Sequence, residues 1–138
     1  RSAYLMVRVV ARATTPPRAV LVGNAAQSMH PVGAQGFNLG LRDALTLAEL
    51  VAANRSDPGG EAVLHGYVSR RREDRARTLE FSDGLARLTA NDAPLLRPLR
   101  SLGLLAVDRL PALQARVAGG AMGYRGDDVP ALCRGAGA

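Results

Sequence analysis

The sequence predicts an α+β chain that is mostly helical. Three observations predict this class: two short runs rich in β-branched residues come first, an uncharged glycine-rich loop follows them, and the remainder carries leucine and alanine at helical spacing. The 138 residues have the length of one domain. The turn-forming stretch 54–60 suggests two parts, a segment 1–57 with the strands, loop and first helix, and a helical segment 58–138.

The strands are predicted from the first 22 residues. The run 3–13 alternates its side chains between two faces, as an edge or half-buried strand does. Thr14–Pro17 ends this strand, because proline cannot donate to a ladder. The apolar run Ala19–Val22 then stops at Gly23, and a run of this kind predicts a buried parallel strand.

Helices are predicted over most of the remaining chain. The apolar residues of 36–53 cover much of the helix circumference, which indicates a largely buried helix. A long helix is predicted over 61–90, with an apolar stripe interrupted by two arginines. The members of that stripe are Leu64, Val68, Arg71, Arg75, Leu79 and Ala86. A last helical region covers 94–118, and Pro111 should kink or divide it.

The middle of the long helix carries a dense run of charge. Its arginines alternate with two acids, and the run contains Arg70, Arg71, Arg72, Glu73, Asp74, Arg75 and Arg77. Such a run is typical of a solvated helix face with i,i+4 pairs such as Glu73–Arg77. The alternative is contact with an anionic lipid surface or a partner protein.

Composition excludes several classes of function. All 18 basic residues are arginine, and the net charge of +6 favours anionic partners. With 4% aromatic residues and no tryptophan, the chain lacks the stacking platforms that single-stranded nucleic acid requires, so we expect no nucleic-acid partner. Cys133 is the single cysteine and His30 has no second ligand near it, so no metal site is expected. The uncharged stretch 19–41 is too polar and glycine-rich to span a membrane.

The stretch with chemical information is the loop 23–35 and the start of the helix behind it. The first N–H groups of a helix that begins near Gly36 are unpaired, and the helix dipole makes them attractive to partial negative charge. The loop contains no Asp, Glu or Lys, so a ligand would be held by amides, hydroxyls and shape. This pattern favours a cofactor loop over a metal or triphosphate site; the alternative is a purely structural turn.

The residues of this loop resemble a known motif. It consists of Gly23–Gln27, His30–Pro31, Gln35–Gly40 and Arg42–Asp43. This series resembles the second flavin-binding motif of the single-component FAD-dependent aromatic hydroxylases, whose pattern reads GDAAH…P…GQGxNxGxxD. Asn24 and Gln27 stand where most of that family has Asp and His. Both exchanges occur together in its ubiquinone-biosynthesis branch, and the chain is most similar there to the 2-polyprenyl-6-methoxyphenol hydroxylases.

The resemblance implies a fold and an activity. The family is about three times as long, so the chain would be the C-terminal part of a para-hydroxybenzoate-hydroxylase-like monooxygenase: terminal strands, flavin loop and long helices. It implies FAD as cofactor, NAD(P)H as electron donor, and hydroxylation of a polyprenylated phenol with O₂; the chain alone would be inactive. No catalytic residue is assigned. The residues implied to bind the cofactor are Gly23, Asn24, Pro31, Gly33, Gln35, Gly36, Phe37 and Asn38.

Two alternatives remain open from the sequence. The chain could instead be a non-catalytic helical interaction or membrane-surface module that retains a flavin-loop motif. It could also belong to a sister hydroxylase of the same pathway, or to another flavin hydroxylase. Its location is expected to be cytoplasmic, either free or peripheral at the inner membrane, where other ubiquinone-biosynthesis proteins are potential partners. The leucines of the last helical region alternate with arginines, a pattern that predicts self-association or binding to anionic vesicles.

Overall fold

The computed structural model describes residues 7–31, 35–90, 96–122 and Pro130. Two short strands, Val9–Val10 and Gln27–Ser28, form a small antiparallel pair in which Val9 lies opposite Ser28 and Val10 opposite Gln27. The elements, in chain order, are β1 (Val9–Val10), a short 3₁₀ turn (Gly23–Ala25), β2 (Gln27–Ser28), α1 (Gln35–Ala53), α2 (Glu61–Ala90), α3 (Leu96–Arg109) and α4 (Pro111–Met122). The described part of the chain is therefore mostly helical, as predicted.

The strand predictions are confirmed only in part. Within 3–13, Val9–Val10 is paired, while residues 3–6 lie outside the described part. The predicted parallel strand Ala19–Val22 is wrong, since these residues form a loop. Among the described residues no strand lies beside them, and the Leu21 backbone bonds instead to Thr14 O and to a tyrosine hydroxyl. A parallel strand needs such a neighbour to pair its backbone groups.

The helix predictions are confirmed closely. Helix α2 has the predicted bounds, and α1 begins one residue before the predicted start. The turn between them is closed by bonds such as Gly60 N–H to Asp57 O. Pro111 divides the last helical region into α3 and α4, because its ring lacks an N–H and suits the first position of a helix.

The core lies between α1 and α2 and is unusually polar. The buried apolar residues are Ala26, Leu39, Val63, Tyr67 and Leu79. The prediction of a largely buried α1 is wrong, since α1 buries one face, which contains Arg42, Asp43 and Thr46, and leaves Leu41 exposed. The predicted stripe on α2 is also wrong at Val68, which is exposed. Oppositely charged residues of the two helices take the buried positions instead.

Helices α3 and α4 pack mainly against each other. The two helices and the residue between them, Leu110, leave several large apolar side chains exposed: Leu99, Leu102, Leu104, Leu105, Leu110 and Val117. Among the helices that the structure describes, none is long and apolar enough to cross a membrane.

Candidate functional site

The loop before α1 touches that helix at the level of the backbone. Gly23 has a φ of 57°, in the left-handed region that favours glycine. A Cβ atom on Gly40 would lie 3.2 Å from the Gly23 Cα, closer than most real Cβ contacts. Both positions therefore favour glycine, one for its conformation and the other for the close approach.

A groove of about 470 Å³ opens between this loop and the first turns of α1. The described residues that line it carry no charge; they are Val22, Gly23, Asn24, Gly36, Phe37, Gly40 and Leu41. A Cβ atom on Gly36 would meet no atom of the described residues within 4 Å, which leaves this backbone open to a ligand. The N–H groups of the first helical turn have no partner within the helix and carry the positive end of its dipole. The groove thus suits a flat, uncharged or partly negative ligand edge.

The structure brings four of the eight predicted cofactor residues together in this groove: Gly23, Asn24, Gly36 and Phe37. Phe37 is 78% exposed, so its ring is available to a ligand. Pro31 and Asn38 are exposed outside the lining. Gly33 lies outside the described residues.

Gln35, the eighth predicted residue, begins α1 and is only 1% exposed. Neither atom of its side-chain amide, Nε2 or Oε1, has a hydrogen-bond partner within the part of the chain that the structure describes. A buried amide without hydrogen-bond partners is energetically costly. The Gln35 amide can still donate and accept hydrogen bonds at the N-terminus of α1.

His30 helps to hold the loop in place through its backbone rather than its ring. The Ser82 hydroxyl on α2 donates to the His30 carbonyl at 2.9 Å. The described residues contain no group of three or more His, Cys, Asp or Glu side chains that could hold a metal ion.

Asp43 joins the loop to both helices, a role that sequence reasoning missed. Its carboxylate is completely buried. One oxygen, Oδ2, accepts from the Gly23 backbone N–H at 3.3 Å and from Gln27 Nε2 at 3.1 Å. The other, Oδ1, accepts from Arg71 Nε at 2.8 Å. Asp43, the last residue of the loop motif, therefore holds in place the loop that precedes it in the sequence.

A buried ion network continues from Asp43 across the α1–α2 contact. Arg42 Nε lies 2.8 Å from Asp74 Oδ2, and Arg71 Nη2 lies 2.6 Å from the same oxygen. Arg75 Nη2 is 3.6 Å from Asp43 Oδ1. Three arginines and two aspartates thus share one interior cluster, which we call the ion network.

The ion network corrects the prediction of a solvated face on α2. The side chain of Arg71 is fully buried and that of Asp74 is nearly so. The predicted Glu73–Arg77 pair is present on the exposed side, at 3.4 Å. The charge run therefore has two faces, and one of them packs against opposite charges on α1.

Proton affinities in the ion network favour the charged forms. Burial acts to raise the pKa of Asp74, but the Arg42 hydrogen bond and the positive charge of Arg71 outweigh it and lower that pKa. Burial acts to lower the pKa of Arg71, but its bond to Asp43 and the charge of Asp74 raise it. Burial, aided by the charge of Asp43, raises the pKa of Tyr67 to about 12.

Curated relatives of the chain carry names from ubiquinone biosynthesis. It is 42% identical to the ubiquinone hydroxylase UbiL of Rhodospirillum rubrum, over 98% of this chain and 33% of the relative. It is 35% identical to the 3-demethoxyubiquinol 3-hydroxylase of Escherichia coli, over 88% of this chain and 32% of the relative. For the human mitochondrial ubiquinone biosynthesis monooxygenase COQ6 the identity is 35%, over 73% and 22% respectively.

The chain spans about a third of the length of the UbiL and E. coli relatives. No solved structure matches it. The relatives' names support the ubiquinone-biosynthesis branch that the sequence resembles, without singling out the 2-polyprenyl-6-methoxyphenol hydroxylases within it. Residues 1–82, which include the loop and the groove, match the family described as FAD binding domain. The chain therefore belongs to this family of FAD-binding domains.

Proposed function

We propose that the chain is part of an FAD-dependent hydroxylase that acts on a polyprenylated phenol in ubiquinone biosynthesis, with NAD(P)H as electron donor and O₂ as oxidant. The observation that carries the proposal is the uncharged groove at the start of α1, where the Gly36 backbone is open to a ligand. The family match over the same residues and the names of the relatives support it.

The groove residues fit the flavin half of FAD. Asn24 offers a neutral amide that can both donate to and accept from the hydroxyls of a ribityl chain. The backbone from Gln35 to Asn38 offers N–H groups and a helix dipole to the pyrimidine edge of the ring system. When bound, the flavin supplies the redox chemistry of the hydroxylation. The protein's contribution is to orient the ring and to favour negative charge at that edge.

The loop contacts explain how this geometry is held. Gly40 lies against Gly23, and the buried Asp43 carboxylate accepts the Gly23 N–H. Helix α1 thus holds Gly23 of the loop through two contacts, one with Gly40 and one with Asp43. A site that is held by its supporting contacts in this way keeps its donors aligned before the cofactor arrives.

The test of the proposal is FAD binding by glycine variants. We expect the chain alone to bind FAD weakly, with a dissociation constant above the micromolar range, because the groove accounts for only the flavin half of the cofactor. Gly36→Val should abolish this binding, since its side chain occupies the open approach. Asn24→Ala should weaken it less, by the loss of one neutral hydrogen bond worth about 0.5–1.5 kcal/mol.

A matched control is Gly84→Val on α2. Like Gly36, Gly84 has open space at its Cβ position, but it lies outside the groove. Flavin fluorescence titration measures all four proteins, and the longer enzyme that the proposal implies is measured by its flavin content after purification. Full flavin binding by Gly36→Val in either setting contradicts the assignment of the groove. Consumption of NAD(P)H stimulated by a polyprenylated phenol tests the substrate class in the longer enzyme.

A further inference from the structure

A second groove, distinct from the flavin-loop groove, lies between the segment 8–15 and the middle of α2. Its volume is about 500 Å³. Four arginines and two threonines line it together with Glu80 and apolar atoms; the basic and hydroxyl residues are Arg8, Arg12, Thr14, Thr15, Arg72 and Arg75. We call it the arginine groove.

The arginines of this groove differ in what already neutralises them. Arg8 is paired with Asp83 on α2. Arg12 and Arg72 are exposed, and neither makes an ion pair with a residue that the structure describes. Two guanidinium groups with no ion-pair partner among the described residues therefore line one concave surface, together with the carboxylate of Glu80.

Arg75 forms the buried side of the groove. Its side chain is only 11% exposed, and its Nε atom is buried with no hydrogen-bond partner among the described residues. Its Nη1 lies 3.5 Å from the Thr14 hydroxyl, and its Nη2 lies 3.3 Å from the Tyr67 hydroxyl. The guanidinium carbon sits 5.9 Å from the centre of the Tyr67 ring, which helps to fix its position.

We propose that the arginine groove binds the phosphate or pyrophosphate group of a small ligand. A phosphate carries about two negative charges at neutral pH, which matches the two guanidinium groups, Arg12 and Arg72, that form no ion pair within the described part of the chain. Arginine presents paired donors that suit phosphate oxygens, and the hydroxyls of Thr14 and Thr15 add neutral donors. The proposal does not depend on flavin binding, because the two grooves share no lining residue.

Pyrophosphate is the probe for this site, in isothermal titration calorimetry at low salt. The double variant Arg12→Gln/Arg72→Gln should bind it at least about tenfold more weakly, the loss expected for charge-assisted hydrogen bonds. The matched control is Arg55→Gln/Arg87→Gln, which removes the same charge from two exposed arginines outside the groove. This control should bind pyrophosphate with a dissociation constant within about twofold of that of the unmodified chain, since only the long-range attraction by the net charge changes. Circular dichroism verifies that both variants keep their helix content.

Two results overturn the proposal. One is the absence of measurable pyrophosphate binding by the unmodified chain. The other is an equal loss in the groove variant and the control, which would show that net charge alone attracts the anion. The competing source of phosphate, a lipid headgroup, is distinguished by sedimentation with phosphatidylglycerol vesicles. Vesicle binding that pyrophosphate displaces and that the groove variant loses identifies a headgroup as the ligand; vesicle binding unaffected by the groove variant identifies a soluble phosphate.

Discussion

The replacement Asp43→Asn tests the role of the buried carboxylate most directly. The substitution keeps the size and shape of the side chain but removes its charge. One amide oxygen can still accept from Gly23 N–H or from Gln27. Arg71, which is completely buried, loses its charged partner at 2.8 Å, and Arg75 loses the carboxylate at 3.6 Å.

The expected cost follows from these contacts. Removing one partner of a buried ion pair costs about 3–5 kcal/mol, because the remaining charge stays buried without compensation. Asp74 still neutralises part of the charge of Arg71, at 2.6 Å, which places the expected loss at the lower end of that range. Since a domain is stable by only about 5–15 kcal/mol, such a loss is a large fraction of the total.

Urea unfolding followed by far-UV circular dichroism measures this loss as a lower transition midpoint. The control is Asp57→Asn, which removes the same charge from an exposed pair with Arg18. Exposed pairs contribute little to stability, so the control should unfold at the urea concentration of the unmodified chain. If Asp43→Asn is destabilised by less than about 1 kcal/mol, the buried charge of Arg71 does not depend on Asp43 for its compensation.

Three further predictions follow from the contacts of α2 and α3. Because the pKa of Asp74 is lowered, the stabilisation from this carboxylate is complete above its ordinary pKa of 3.8 and is lost as the pH falls through the lowered pKa. The urea midpoint should therefore decrease in that acid range. The variant Asp74→Asn should lack this decrease. Tyr67→Phe removes the hydroxyl that donates to Leu21 O at 3.2 Å and accepts from Arg75 Nη2 at 3.3 Å, so the free energy of unfolding from urea titration should fall by about 1–3 kcal/mol. Leu99 and Leu102 are 56% and 61% exposed, so light scattering should show self-association of the chain that Leu99→Ser/Leu102→Ser reduces; a monomer at all concentrations, with no binding to anionic vesicles, contradicts this.

The helices could be predicted from sequence because their signals are local. The turn residues of 54–60, the leucine spacing and Pro111 each act within a few residues of their own position. The loop conformation of residues 19–22 could not be predicted in the same way. An apolar run becomes a strand only when another strand lies beside it, and among the described residues its backbone finds a loop and Tyr67 instead.

The ion network could not be predicted from the sequence for a related reason. Arg71 and Asp74 are charged residues in a charged run, and composition alone favours solvent for such residues. Their burial depends on Arg42 and Asp43, which precede them by about thirty positions on another helix. The available signal was the position of Arg71 on the same stripe as apolar residues. A charged residue at a core position indicates a partner elsewhere in the chain.

The same helix that would receive the cofactor also carries the ion network, and this links stability to site geometry. The first turn of α1 forms one side of the groove, while Asp43, two turns later on the same helix, accepts a hydrogen bond from the Gly23 N–H. A change in the ion network therefore reaches the groove through a single hydrogen bond and the Gly23–Gly40 contact. Variants of Arg71, which lies outside the groove lining, should for this reason alter flavin affinity even when the chain remains folded. Mutations inside the groove, such as Gly36→Val, should alter affinity without changing the unfolding midpoint to the same extent, because Gly36 takes no part in the buried contact.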